Sequence, residues 1–181
     1  MLFSSDGIKW AYQFQFEHEQ QKFVKPTVKH SAHVMIWASM SRKGAGSVHF
    51  VDGTMESGQY IRILADHLKS DGQRLCGNNW IFQSDNDPKH TSKATKRWIK
   101  ENKIKTIKWP SNSPDLNPIE HLFHCLKDAL RLRKITTIPD LKTAILEEWQ
   151  KVGQEYCEAL VDSMPRRIDE LKKAKGGHTS Y

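Results

Sequence analysis

Residues 80–120, WIFQSDNDPKHTSKATKRWIKENKIKTIKWPSNSPDLNPIE, alternate between short apolar runs, turn-forming residues and basic stretches. The segment 80–84 opens with an apolar run and is bounded by Asn-Asn and by Asp-Asn-Asp-Pro, which predicts a buried strand. Residues 91–102 have a basic, helical pattern, and residues 104–109 predict a second strand. The turn-rich residues 110–118 then lead into an amphipathic helix that starts near residue 118.

The residues before this stretch predict a hairpin and one helix. Residues 33–40 and 47–51 are two apolar runs separated by a glycine-containing loop at 41–46, which predicts a β-hairpin. Apolar residues at helical spacing predict a helix over 57–69.

The residues after position 118 predict only helices, the last of which is kinked or split by Pro165. The apolar positions of these helices are Ile119, Leu122, Phe123, Leu126 and Leu130, then Leu141, Ala144, Ile145, Trp149 and Val152, and finally Cys157, Leu160, Val161, Met164, Ile168 and Leu171. The expected fold class is therefore α/β, with a mixed sheet flanked by helices and a helical C-terminal part.

The composition is that of one globular domain with an anionic partner. The chain has 181 residues, 38% of them hydrophobic, and its 28 Lys and Arg against 21 Asp and Glu give a net charge of +7. That charge favours a polyanionic partner, with a merely soluble basic protein as the alternative. We expect an intracellular protein with no membrane partner, because the sequence shows no long apolar run and no signal segment. The three cysteines are too scattered for a disulfide framework or a zinc site.

Two carboxylates are candidates for a functional site. Asp85 follows the predicted strand 80–84 at its carboxyl end, where α/β sheets commonly build their sites. Glu120 lies in the first turn of a predicted helix, beside its apolar stripe. Each also has a purely structural explanation, since Asp85 and Asp87 suit turn hydrogen bonds before Pro88 and the helix dipole favours an acid at the position of Glu120. A bound Mg²⁺ ion, which takes oxygen ligands, would explain both carboxylates together.

Residues 83–122, QSDNDPKHTSKATKRWIKENKIKTIKWPSNSPDLNPIEHL, resemble the second half of the DDE catalytic domain of mariner-superfamily transposases. The resemblance is nearest to the fish elements of the Sleeping Beauty kind. In that family the second catalytic Asp lies in a DNxPxH motif and the catalytic Glu in SPDLNPIE, which correspond here to Asp85 and Glu120. The family's interval of 34 residues is also present, from 86 to 119. The hairpin VMIWASMSRKGAGSVHFVDG and the ending LKKAKGGHTSY match as well, so the resemblance covers nearly the whole chain.

The resemblance implies an RNase H-like fold and a metal-dependent phosphoryl transfer at DNA ends. Water first cuts the strand, and the freed 3′-hydroxyl then attacks target DNA. Three carboxylates would hold two Mg²⁺ ions, with Mn²⁺ as the other candidate. The implied partner is double-stranded DNA, bound by a homodimer, and the implied location is the nucleus. His90 matches the histidine of the motif, and ordering of the site, phosphate contact and capping of the next helix are its alternative roles.

The first catalytic carboxylate is expected within MLFSSDGIKW, residues 1–10. Alignment on Phe3 and Ser4 places the catalytic position at Ser5, whereas alignment on Trp10 places it at Asp6. We favour Asp6, because a serine supplies no carboxylate. Adjacent strand residues face opposite sides, so only one of the two can point into the site.

Basic side chains near the two motifs are candidates for DNA contact, with a solvated charged face as the alternative explanation. The candidates are Lys89, Lys93, Lys96, Arg97 and Lys100, with further clusters at 131–134 and 166–167. Such contacts would be made to phosphates without sequence preference.

We expect residues 1–175 to form the catalytic domain and residues 176–181 a loose tail. Full transposases of this kind carry N-terminal helix-turn-helix modules, and we expect the chain to lack them and therefore to lack end-specific recognition. The alternative function is that of a decayed or domesticated remnant that binds nucleic acid non-specifically. An RNA-cutting nuclease would share the fold but has no support from the two motifs.

Overall fold

A computed structural model describes residues 34–111 and 113–175, and a β-hairpin lies at its centre. Strand β1 (Met35–Ser41) pairs antiparallel with β2 (Gly44–Val51), with Met35 opposite Val51 and Ser41 opposite Gly44. The predicted hairpin is confirmed, but the predicted loop at 41–46 is too long. The turn is made by Arg42 and Lys43 alone, since Gly44 adopts a positive φ of 136° and lets β2 begin at once.

One face of the hairpin is covered by a continuous helical segment. It comprises α1 (Ser57–Ile63), a π-helical turn (Leu64–Leu68) and α2 (Lys69–Cys76). The helix predicted over 57–69 is therefore confirmed and continues further than expected. Its buried side chains pack with Trp37 and Val51 of the hairpin, and these side chains are Tyr60, Ile63, Leu64 and Leu68.

Asp71 ties α2 to the hairpin. Its buried carboxylate accepts hydrogen bonds from the Ser39 hydroxyl (2.5 Å), the Ser47 amide (2.7 Å) and the Ser47 hydroxyl (3.0 Å). Arg74 adds an ion pair at 3.0 Å. Burial acts to raise the pKa of Asp71, but the hydrogen bonds outweigh it, so the pKa lies below its usual value.

The opposite face of the hairpin packs on the C-terminal helices. The short helices α3 (Pro88–Thr91) and α4 (Lys93–Glu101) precede these helices in the chain. The C-terminal helices are α5 (Pro118–Arg131), α6 (Ile138–Gln150), α7 (Gln154–Asp162) and α8 (Met164–Lys173). Alternation along the strands sends neighbouring side chains to opposite layers, so Ile36 and Phe50 contact this core while Trp37 and Val51 contact the other. The buried residues of this core include Leu122, Leu126, Leu130, Leu141, Ala144, Ile145, Trp149, Cys157 and Leu160.

The predicted break at Pro165 is confirmed, because α7 ends at Asp162 and α8 begins at Met164. The apolar stripe predicted across the break is partly wrong. Ile168 is 40% exposed, and Arg167 is buried instead. The buried positions after Leu160 are Ser163 and Arg167, so the inward face falls one residue before the predicted Met164 and Ile168.

The two strands predicted in the middle of the chain are reduced to a single parallel bridge between Phe82 and Thr106. The prediction of full strands over 80–84 and 104–109 is therefore wrong for the described residues. Trp80 and Phe82 pack on the α1 core, but Ile81 between them is 60% exposed, so only one face of the apolar run is held by burial. Together, the antiparallel hairpin and the parallel bridge give a mixed pairing pattern between two helical layers.

The predicted helix at 91–102 is confirmed as α4, preceded by the one-turn helix α3. The Ser92 hydroxyl accepts a hydrogen bond from the Thr95 amide at 3.1 Å and so starts α4 as a separate helix. Of the helices in residues 34–111 and 113–175, none has the length and apolarity needed to cross a membrane.

Candidate active site

Asp85 lies in a tight turn just after the bridging residue Phe82. Its Oδ1 atom accepts hydrogen bonds from the Asp87 amide (3.1 Å) and from Nδ1 of His90 (2.5 Å). The Asn86 side chain donates to the Trp109 carbonyl at 2.8 Å and fastens the turn to the neighbouring segment. Both hydrogen bonds fall on one oxygen, so Oδ2 of the exposed Asp85 carboxylate accepts none from the described residues.

His90 is a half-buried ring that holds this carboxylate. It packs on the Tyr60 ring with centroids 4.2 Å apart, and Tyr60 itself is only 1% exposed. Burial lowers the pKa of His90, and the attraction of Asp85 offsets this only in part. The imidazole is therefore neutral near pH 7, with its Nδ1–H donated to Asp85. The position of Tyr60 beneath this pair was not predicted from the sequence.

Asp87 has a structural role. It caps α3 by accepting the Lys89 amide at 3.0 Å, and the Lys89 ammonium lies 2.5 Å from its other oxygen. Burial acts to raise the pKa of Asp87, but the bonds from Lys89 hold it below its usual range. Because Asp87 caps α3 and Ser92 caps α4, the alternative of a capping role for His90 is wrong.

Glu120 occupies the first turn of α5, as predicted. Pro118 is the first residue of that helix, and the Glu120 amide donates to the Asn117 carbonyl at 3.1 Å. The Glu120 side chain is exposed, and it forms no hydrogen bond or ion pair with another residue of the described ranges. Its carboxylate is therefore available to a ligand from solvent.

A buried arginine anchors the turn that precedes Glu120. Arg167 is 2% exposed and donates to the Asp115 carbonyl (2.9 Å), to the Ser163 hydroxyl (2.7 Å) and to Nδ1 of His121 (3.1 Å). Burial and then the charge of Arg167 lower the pKa of His121, which keeps Nδ1 an acceptor. The contacts to Asp115 and His121 join α8 to the short 3₁₀ turn Pro114–Leu116 and to the start of α5, while the contact to Ser163 lies at the start of α8 itself.

Three arginines of the basic clusters at 131–134 and 166–167 are engaged within the protein. Arg167 is buried, Arg131 pairs with Asp128 at 2.8 Å, and Arg133 pairs with Glu147 and Glu148. Within the described residues, Lys134 and Arg166 of these clusters stay exposed, and a run of exposed cations also lies along α4. Those of α4 are Lys93, Lys96, Arg97 and Lys100, all exposed, whereas Lys89 is half-buried and paired with Asp87.

The two described candidate carboxylates suit a hard divalent cation, because both are solvent-accessible oxygen donors. Within residues 34–111 and 113–175, no three Asp, Glu, His or Cys side chains form a group that could hold a metal ion. Asp6 and Ser5 both lie outside the described residues. The choice between them, and the triad itself, stays a prediction.

Solved structures share the fold. The Mos1 transposase catalytic domain with raltegravir and Mg superposes with a TM-score of 0.74 over 81% of this chain and 77% of that chain, at 20% identity. The Mos1 mariner paired end complex with Mn superposes with a TM-score of 0.78 over 87% of this chain and 48% of that one, at 20% identity. The predicted α/β, RNase H-like fold is confirmed by these matches.

Sequence comparison points to the same group of proteins. The Tcb1 transposase of Caenorhabditis briggsae is 33% identical over 99% of this chain, and so is the Tc1 transposase of Caenorhabditis elegans. The chain spans 66% of the length of each of these relatives. Residues 2–142 match the family model described as the DDE superfamily endonuclease. This confirms the predicted family, and the chain belongs to the DDE superfamily of endonucleases.

Proposed function

We propose that this chain is the catalytic domain of a transposase, which cuts double-stranded DNA at a metal site and joins the freed 3′-hydroxyl to target DNA. The observation that carries the proposal is the state of Asp85, whose Oδ1 is held by a neutral, packed His90 while Oδ2 stays open to solvent. A carboxylate oriented in this way is a ready ligand for a divalent cation. The Tc1-type relatives and the Mos1 structures with Mg and Mn support the same chemistry.

Asp6, Asp85 and Glu120 are the residues that we propose as ligands of Mg²⁺, with Mn²⁺ as the alternative ion. When bound, the metal would activate the attacking oxygen and stabilise the leaving oxygen. The protein's own part is to orient. His90 fixes the Asp85 carboxylate, and the start of α5 presents Glu120 beside a turn that Arg167 holds.

Duplex DNA is the proposed substrate, and the exposed cations of α4 are its proposed backbone contacts. Lysines and arginines that neutralise phosphates give binding that weakens steeply with salt and is indifferent to sequence. Two copies on one DNA are proposed as the working assembly, in keeping with the paired end complex that the Mos1 structure describes. The domain boundaries at 1–175 and 176–181 and a nuclear location belong to the same proposal.

The test is metal-dependent nicking of supercoiled plasmid. We expect nicking with Mg²⁺ or Mn²⁺, none with EDTA, and a loss of at least about a hundredfold in Asp85→Asn or Glu120→Gln. Asp66→Asn is the matched control, because Asp66 is an exposed carboxylate in the π-helical turn and should leave nicking unchanged.

The same assay decides the first carboxylate and the alternative function. Asp6→Asn should abolish nicking while Ser5→Ala should not; the opposite pattern would reverse the assignment. A wild-type chain that binds duplex DNA but never nicks it would instead identify a decayed remnant with a nucleic-acid-binding role.

A further inference from the structure

A cleft between the C-terminal ends of α2 and α4 lies apart from the carboxylates described above. Its volume is about 280 Å³. Side chains of α2, of the end of α4 and of the two bridged segments line it, and the principal ones are Lys69, Gln73, Trp80, Asn102, Lys103 and Lys105. We refer to it as the lysine cleft.

Among the described residues that line it, the lysine cleft has three lysines and no carboxylate. The Lys69 ammonium donates to the Asn102 amide oxygen at 2.9 Å, which orients the cation without neutralising it. The two nearest acids in sequence are engaged elsewhere. Asp71 is bound to Ser39, Ser47 and Arg74, and Glu101 lies 3.9 Å from Arg97 on the exposed side of α4.

The walls of the cleft are built by specific packing and hydrogen bonds. Trp80 lies so close to Gly72 that a Cβ atom there would stand 2.4 Å from the indole. Lys103 has a left-handed φ of 55°, which residues other than glycine rarely adopt. Its amide donates to the Lys100 carbonyl at 3.0 Å. The Asn102 side chain also donates to the Trp98 carbonyl at 2.9 Å. The lysines are thus presented by an ordered turn.

Several lysines and side-chain amides line this cleft. Such a cleft suits a ligand whose negative charges repeat along a chain. Lys96 and Lys100 lie about one helical turn apart on α4, and Lys103 follows two residues after the end of that helix, so exposed cations are present both along α4 and in the cleft. Phosphates of one DNA strand follow each other every 3.4 Å or so along the duplex axis, which such a row can track.

We propose that the lysine cleft binds the phosphodiester backbone of duplex DNA to one side of the cleavage site. This inference rests on the proposed function, since it names where the substrate of that site continues. Trp80 and Asp85 are on one segment, and five residues of extended chain span at most about 16 Å. At about 3.4 Å per base pair, the bound phosphates lie within about five base pairs of the cut.

The experiment compares two triple variants by fluorescence anisotropy on a labelled 30-base-pair duplex, in EDTA and over a series of salt concentrations. The cleft variant is Lys69→Gln, Lys103→Gln and Lys105→Gln. The control removes the same charge from exposed lysines elsewhere, with Lys151→Gln, Lys172→Gln and Lys173→Gln. Thermal melting of both variants checks that each is folded before binding is compared.

We expect the cleft variant to bind at least about tenfold more weakly at low salt and to lose about 2.7 from the log–log salt slope, or 0.9 for each lysine that releases a counterion. The control should change the slope by less than about 0.5. Equal losses in both variants would overturn the proposal, because the attraction would then come from net charge alone.

A second measurement locates the contact. In duplexes that carry methylphosphonates at random positions, the fragments that the wild-type chain nicks in Mg²⁺ should lack these groups within about five base pairs of the nick on one side, whereas fragments nicked by the cleft variant should show no such depletion. A uniform effect along the duplex would refute the location. Because binding is measured without metal, the two proposals can fail separately. A chain that binds DNA through the cleft but never nicks it would contradict only the proposed function. A chain that nicks DNA, but whose cleft variant binds as tightly as the wild type, would contradict only the proposed role of the cleft.

Discussion

Arg167→Met is expected to destabilise the domain and to loosen the turn that presents Glu120. The guanidinium is 2% exposed, so solvent does not screen its contacts, and the change removes the bonds to Asp115, Ser163 and His121. Bonds made by a charged donor contribute about 1.5–3 kcal/mol each, and relief of the cost of burying the charge offsets a large part of their sum. We therefore expect a net loss of about 3 kcal/mol.

The assay is thermal unfolding combined with amide hydrogen exchange. A loss of about 3 kcal/mol lowers Tm by about 6–12 °C in a domain of this size. Exchange should accelerate at the amides of residues 115–121 at temperatures where the rest of the chain remains protected.

Arg133→Met is the matched control, because Arg133 lies just beyond the other end of α5 and pairs with Glu147 and Glu148 at the surface. Its Tm should change by at most about 2 °C, since surface ion pairs contribute little. If both variants melt alike and exchange at residues 115–121 is unchanged, Arg167 does not anchor this turn.

Three further changes probe other parts of the structure. His90→Phe keeps an aromatic ring on Tyr60 but removes the hydrogen bond to Asp85. Tm should therefore stay at the wild-type value while nicking falls at least about tenfold. Nicking at the wild-type rate would show that Asp85 needs no orienting partner. Asp71 has a lowered pKa in the folded chain, so its stabilisation is present above the unfolded value near 3.8 and is lost as pH falls through the folded value. Asp71→Asn should therefore reduce the urea midpoint at pH 7 and flatten its decline below about pH 4, and a parallel decline would contradict this assignment. Gly72→Ala should lower Tm because its Cβ meets Trp80 at 2.4 Å, whereas Gly153→Ala meets nothing within 4 Å and should not.

Helix α5 was predictable because it buries one apolar stripe with a single period. Leu122, Leu126 and Leu130 recur every four residues and all are buried in α5. The middle strands were not predictable from the same principle, since a short apolar run does not reveal how many neighbours it pairs with. Phe82 is packed and bridged, but the adjacent Ile81 faces solvent.

The two motifs located Asp85 and Glu120 on their elements, but the groups that hold them could not be inferred. Arg166 and Arg167 illustrate the difficulty, because they are neighbours of the same type and only Arg167 is buried. An arginine is exposed by default, and its burial depends on partners that lie far away in sequence, such as Asp115. The rotation of the helix after a proline decides whether Arg166 or Arg167 faces inward. That rotation is set by packing and cannot be read from the composition.

The turn at Asp85 shows why structural and functional explanations of one residue need not compete. The Asp87 amide and His90 both use Oδ1, so the turn is complete without the second oxygen. Asp87, in contrast, is half-buried and accepts a hydrogen bond from Lys89 on each of its oxygens, so neither oxygen is free of a protein partner. Two acids that are two residues apart in one motif therefore have different capacities, and only Asp85 combines a fixed orientation with an open oxygen. The same distinction explains why Asp85 rather than Asp87 is the metal ligand to test first.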